Sequence, residues 1–435
     1  MPGTDATGNA AGGAAPRGAT GPGDGRFVLP LLALTLGHVL SNAVRTMPAI
    51  AADVLARDLG VTQQGLAAIV GVFPLAFALA SLPAGVALDR YGVRRVGLGL
   101  VAIITLGAAL AALATGPWSM LLAQVVLGTG CSGVLVTPMT LAARTVAPRQ
   151  LGLWSGIVLA VGNCGMLLSA SPMAWLVEAA GWRAGYWAGV GLGLAALALI
   201  ALLVPRLPPK APGATQAPSR GMAREVRETL QLMVSPSLRG LAALAFGSYA
   251  LQIGLRGLWG GPWLMEVKGL TRLEAGNVLL ATTVALVCGP LLTGVLDRRL
   301  GRRRYTAAGG HALAALLAVL MVCGGPGGPL SRLAGVEMLP AWWDSTMLVL
   351  FGLSLGVTSL LFALARAAVP VALTGRALSA INIVNFLGTA VLQPLSGPVA
   401  AASGVGAAIL FLAAATLIGV ALFLLLPAVP TGTRL

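Results

Sequence analysis

What most limits this chain is how often it stays apolar for the width of a lipid bilayer. Long, nearly uncharged runs fall at 27–55, 65–88, 96–115, 118–143, 150–178, 184–205, 240–265, 273–296, 305–324, 345–368, 372–401 and 405–427. About 20 apolar residues let a helix cross the hydrocarbon core, so twelve crossings are predicted. Helices satisfy every backbone polar group within the segment. The runs are continuous rather than alternating, which argues against a membrane β-barrel. Only 9% of the 435 residues are charged, against about a quarter in a soluble domain. The expected fold class is an all-α polytopic membrane protein with 12 transmembrane helices.

Charge sets the orientation. With the N-terminus in the cytoplasm, 21 of the 28 Lys and Arg fall on the cytoplasmic side and five on the other. That asymmetry obeys the positive-inside rule. It predicts a multi-pass protein of an inner cell membrane with both termini cytoplasmic. The net charge of +15 then reports topology and attraction to anionic lipid. No aromatic–basic interleaving of the nucleic-acid type is present. The expected organisation is a cytoplasmic tail over 1–26, a six-helix bundle over 27–205, a cytoplasmic linker over 206–239, a second six-helix bundle over 240–428 and a tail over 429–435. Residues 222–233 alternate apolar and charged positions at helical spacing, as an amphipathic surface helix does. Cys131, Cys164, Cys288 and Cys323 lie in apolar runs without ligand spacing and read as packing residues. There is no P-loop, no metal cluster and no nucleophile–base set, so neither enzyme chemistry nor a cofactor is expected.

Two loops repeat. Gly85 to Arg95 reads Gly-Val-Ala-Leu-Asp-Arg-Tyr-Gly-Val-Arg-Arg, and Gly294 to Arg304 reads Gly-Val-Leu-Asp-Arg-Arg-Leu-Gly-Arg-Arg-Arg. Asp89 and Asp297 are 208 positions apart, about half the chain. Each loop is a helix end, an aspartate, a glycine turn and an arginine cluster. The pair resembles the loops between helices two and three and between helices eight and nine of the major facilitator superfamily. The resemblance implies two pseudo-symmetric six-helix bundles around a central cavity, and secondary transport by alternating access. It also implies a gating role for Gly85, Asp89, Arg90, Gly92, Arg94, Gly294, Asp297, Arg298 and Gly301. Asp89 would meet the start of helix eleven near Gly375, and Asp297 that of helix five near Gly152. Gly85 and Gly294 would permit close helix approach, while Gly92 and Gly301 would form the turns.

Charges inside the spans are costly, about 2.5–3.5 kcal/mol each on insertion scales, and usually face a cavity. Arg45 in the first run shares a face with Asn42 and His38, and Arg256 lies 211 positions later in the seventh. Gln252 and Trp259 are spaced to share the face of Arg256. Asn163 and Asn385 are further candidates to shape a site. All thirteen Asp and Glu fall at or beyond helix ends, so neither arginine has a central carboxylate partner. An anionic ligand would relieve both, and guanidinium takes carboxylate or phosphate in bidentate fashion. Arg45 alternatively snorkels to water. One arginine per half is similar to the organophosphate:phosphate antiporter family, in which the pair is implied to bind the substrate's phosphate. The reading is a secondary transporter of a small organic or inorganic anion, a monomer, coupled to a counter-anion or to protons through His38. A proton-coupled drug exporter is the alternative. Gln124 stands where such exporters resemble one another in having arginine, which counts against it. A transporter-like membrane sensor is the other.

Overall fold

The structure, a computed structural model, describes residues 27–146, 150–206, 222–370 and 373–426. The two expected tails and the first part of the linker lie outside these. Every regular element among the described residues is helical. Eleven helices among them are long and apolar enough to cross a membrane. They are α1 Val28–Thr46, α2 Gln64–Leu88, α3 Arg90–Ala112, α4 Pro117–Thr145, α5 Leu153–Ala180, α6 Trp182–Leu203, α7 Arg239–Val267, α8 Arg272–Leu300, α9 Arg303–Cys323, α10 Ala341–Ala367 and the 50-residue Arg376–Leu425. The last reverses at Gly404, whose φ of 83° leaves the helical region. It therefore makes two crossings, α11 before that turn and α12 after it. The twelve apolar runs thus become twelve spans.

The face on which the described chain begins is called the near face here, and the opposite one the far face. In the first half α1 packs on α5 and α6, and the α2–α3 hairpin packs on α4. In the second half α7 packs on the α11–α12 hairpin, and α8 packs on α10. Between the halves α2 packs on α11 and α5 packs on α8. A short helix, Pro48–Leu59, continues from α1 over the far face and rests against α7 and α8.

The repeated loops turn at Gly92 (φ 78°) and Gly301 (φ 62°), left-handed values that a Cβ would resist. Each loop also staples its own half. Arg94 Nη2 donates to the Ala201 carbonyl (2.5 Å), near the end of α6. Arg304 Nη2 donates to the carbonyls of Phe423 (2.6 Å) and Leu426 (2.8 Å), at the end of α12. The unpaired carbonyls at a helix C-terminus are a natural seat for a cation.

Asp297 pairs within its own loop, 2.9 Å from Arg303 Nη2. The expected contacts of Asp89 with residue 375 and of Asp297 with residue 152 lie outside the described side chains. The close approach expected at Gly85 and Gly294 is not made: a Cβ on either would meet nothing within 4 Å. Arg90 stacks over Tyr91, 5.5 Å from the ring centroid, and Arg298 is exposed.

Candidate functional site

A narrow pocket lies between the halves. Arg45 of α1, Val70, Phe73 and Pro74 of α2, and Gln124 of α4 line one side; Tyr249, Ile253 and Gly257 of α7, and Phe386, Thr389 and Gln393 of α11 line the other. Its polar groups are one guanidinium, a phenol, a hydroxyl and two amides, set in an apolar, largely aromatic wall. Small-molecule sites have this composition, with a few placed polar groups in an apolar cleft.

Arg45 is held from both sides. Its Nη2 donates to Asn42 Oδ1 at 2.5 Å, one helical turn back on α1, and its Nη1 donates to the Tyr249 hydroxyl at 3.3 Å across the interface. Asn42 is in turn fixed to α5, its Nδ2 donating to the Gly162 carbonyl (3.0 Å) and facing Asn163 Oδ1 (3.4 Å). His38 Nε2 is 3.3 Å from the same Asn42 nitrogen. The α1 side chains expected to share a face therefore do meet, joined by Asn163. Among the described residues Arg45 forms no ion pair, and its Nε has no partner. The guanidinium is positioned by neutral groups and keeps its charge uncompensated at the pocket wall.

The second half departs from expectation. Arg256 is 3% exposed and does not line the pocket. Its Nε donates to Thr283 of α8 (2.8 Å) and its Nη2 to the Met166 carbonyl of α5 (2.8 Å). It is a clasp between the halves rather than a wall residue. Trp259 is also turned away, fully buried, with its indole N–H on Ser396 at 2.8 Å. The reason is local. Residues Leu255–Trp259 and Trp263–Val267 form wide π turns. Each such turn carries an extra residue, so the face lags the ideal 3.6 periodicity. Tyr249, Ile253 and Gly257 consequently face the pocket while Arg256 and Trp259 rotate off it. Gln252 and Asn385 are buried outside the pocket wall, each with an unpartnered side-chain oxygen. Tyr249, Gln124 and Gln393 are wall residues that spacing did not single out as a site. Their signal was present as isolated amides and a phenol in apolar runs.

The pocket is closed more thickly on the far side. Arg272 of α8 grips Asp53 bidentately (2.9 and 2.7 Å) and also donates to the Ile50 carbonyl. Ser171 Oγ donates to Asn277 Oδ1 at 2.6 Å. A Cβ on Gly261 would collide with the Ala49 carbonyl, so the two backbones touch. Burial opposes ionisation of Asp53, but the hydrogen bonds and charge of Arg272 outweigh it and hold the carboxyl below its ordinary value. Asp58 is also held low, chiefly by the Trp182 indole N–H at 2.9 Å and then by Arg183 at 3.3 Å. These contacts tie the far-face helix Pro48–Leu59 to α6. Toward the near face the closure is aromatic. Phe77 stacks on Phe386 with centroids 3.7 Å apart, and Tyr249 meets Phe386 edge-on at 5.1 Å.

A second charge pair sits apart from the pocket. Lys268 and Asp344 are 3.0 Å apart with side chains 1% and 0% exposed. Lys268 also donates to the carbonyls of Gly324 (2.9 Å) and Leu339 (2.8 Å), and Trp263 Nε1 donates to Asp344 Oδ1 (2.7 Å). Both residues read as surface groups at helix ends in the sequence, but the 324–340 segment folds over them. Of the adjacent tryptophans beside this pair, Trp342 is exposed while Trp343 bonds the Leu320 carbonyl.

Comparison with known proteins accords with this architecture. A nucleoside transporter structure superimposes with a TM-score of 0.71 over 92% of this chain and 98% of that one, at 13% identity. A POT family transporter in complex with 5-aminolevulinic acid gives 0.72 over 93% and 96%, also at 13% identity. These show the fold. In sequence, a multidrug resistance protein B homolog of Mycobacterium tuberculosis is 31% identical over 48% of this chain, and the match spans 42% of that relative's length. The tetracenomycin C resistance and export protein of Streptomyces glaucescens is 26% identical over 84% of this chain and 75% of its own. The 3-(3-hydroxy-phenyl)propionate transporter of Escherichia coli is 25% identical over 54% of this chain and 55% of its own. The profile of the Major Facilitator Superfamily matches residues 34–393. Twelve spans in two halves, paired glycine–arginine loops and a pocket at the seam are thus those of a family member: the chain belongs to the Major Facilitator Superfamily.

Proposed function

We propose that this protein is a secondary transporter of a small amphipathic organic anion, bound between its halves and released by alternating access. The observation that carries this is Arg45, a guanidinium on the pocket wall with only neutral partners. A carboxylate on the ligand would complete its hydrogen bonding and offset its charge. Arg256 contributes by clasping α7 to α5 and α8, not by touching the ligand. The narrower organophosphate-type reading needs two arginines on one ligand, and Arg256 faces away. The halves are the bundles over 27–205 and 240–428, and the near face, which carries both glycine–arginine loops, is the cytoplasmic one. Either a counter-anion or a proton on His38 would couple transport.

The alternative is export of neutral or cationic amphipathic drugs. The aromatic wall of Phe73, Tyr249 and Phe386 favours it, as do relatives named for multidrug resistance and antibiotic export.

Thermal unfolding of the purified protein against mono- and dicarboxylates, phosphate esters and cationic drugs separates the two. A ligand at 100 times its dissociation constant adds about 2.7 kcal/mol of stability. The anion reading expects carboxylates to stabilise the parent and to lose that effect in Arg45→Gln. Stabilisation by cations alone, or an Arg45→Gln response equal to the parent's, gives the exporter reading.

A further inference from the structure

We infer that Gln393, aided by Gln124, is the specificity-determining residue of the pocket and reads a hydroxyl or carbonyl at the end of an aromatic organic acid. This rests on the anion reading of Arg45 and names the rest of the ligand.

Gln393 is 1% exposed, lines the pocket, and has no partner for either its amide nitrogen or its amide oxygen. Buried amides almost always find partners. One left with neither, on the pocket wall, is free to pair with a group the ligand supplies. Gln124, from the opposite half, adds a second amide to the same wall; it is 4% exposed, and it is held by the Met120 sulfur, at 3.7 Å, and the Tyr186 hydroxyl. Neither amide is charged, so the group they read is neutral and hydrogen-bonding.

Arg45 is bonded to Tyr249, whose ring meets Phe386. Gln393 follows Phe386 by seven residues on α11. At 1.5 Å per residue this sets Gln393 about 10 Å from Phe386 along α11. The apolar wall beside these polar groups includes Val70, Phe73, Pro74 and Ile253. An aromatic ring bearing a short acid chain and a hydroxyl matches this set of one guanidinium, an apolar and aromatic wall and two amides. A site that hydrogen-bonds a hydroxyl strongly disfavours the analogue lacking it, because its own polar groups are then left unpaired.

The test is a matched set of four probes, 3-phenylpropanoate, its 4-hydroxy derivative and the primary amides of both, titrated calorimetrically into the full chain in detergent. Acid against amide reads Arg45; hydroxyl against hydrogen reads Gln393. The parent should bind the hydroxy acid about tenfold more tightly than the unsubstituted acid, the worth of one good hydrogen bond. Gln393→Met should reduce that preference to under about twofold while leaving the unsubstituted acid within about threefold. It should melt no lower than the parent without ligand, since it removes an unpartnered amide. Absence of the hydroxyl preference in the parent, or its persistence in Gln393→Met, overturns the inference and leaves the anion reading standing. A Gln393→Met variant that melts well below the parent or does not fold shows the amide to be part of the fold, and overturns it too. Amides binding as tightly as acids defeat the anion reading and with it the ligand inferred here.

Discussion

Neutralising Asp53 should open the far face. Arg272 makes two charge-assisted hydrogen bonds to the Asp53 carboxylate, at 2.9 and 2.7 Å, and is itself only 14% exposed. Asp53 is 40% exposed, so solvent screens the pair and the full value of a buried bridge does not apply. Exposed pairs contribute about 0.2–1 kcal/mol, and bidentate geometry places this one near the top of that range. Asp53→Asn removes the charge and keeps the Arg272 bond to the Ile50 carbonyl. A loss of about 1 kcal/mol from the far-closed conformer alone changes the closed-to-open ratio about fivefold. Spin labels at Arg57 and Leu273, both exposed on the far face, would report this as a shift in the distance distribution in a cysteine-free background. An unchanged distribution, or one shifted toward closure, refutes the latch. So does an Asp53→Asn, Arg272→Gln double variant whose effect is the sum of the two single ones. The pH dependence has a definite sign. Burial opposes ionisation of Asp53, and its carboxyl is held below its ordinary 3.8 chiefly by Arg272, with the Val54 and Asp53 backbone N–H groups adding to it. The latch is therefore complete above that value and is lost as pH falls through the lower one in the closed conformer. Closure should be flat from pH 5 to 8 as far as Asp53 is concerned, a range set by about one unit of margin above an ordinary carboxylate.

Three further outcomes follow from the same contacts. Gly261→Ala should also favour the far-open state, because its Cβ would collide with the Ala49 carbonyl; overpacking costs about 1–3 kcal/mol, read with the same label pair. Asn42→Ala should weaken carboxylate binding about tenfold without abolishing it, since Arg45 loses its 2.5 Å anchor but keeps Tyr249; calorimetry on the purified variant measures it. Lys268→Met should cost about 3–5 kcal/mol by leaving Asp344 buried and unpaired, whereas Lys268→Met with Asp344→Leu should restore most of that loss; thermal unfolding of the two variants decides it.

The sequence alone determined the spans, their number and the pairing of the two halves. Each follows from a local quantity: the transfer free energy of a 20-residue run, or a short motif repeated at half-chain spacing. It also placed His38, Asn42 and Arg45 on one face, because α1 is regular there and periodicity holds. Periodicity failed on α7, where π turns moved Arg256 and Trp259 off the pocket and left Tyr249 on it. It was silent on Gln124 and Gln393, two amides 269 positions apart that only the docking of α4 and α11 brings to one wall. Likewise Lys268 and Asp344 read as separate surface charges until the 324–340 segment buried them together. Insertion into lipid is decided one segment at a time, from side chains the sequence states outright. The pocket is decided by the rotation and register of helices against each other, which depend on packing between residues far apart in the chain.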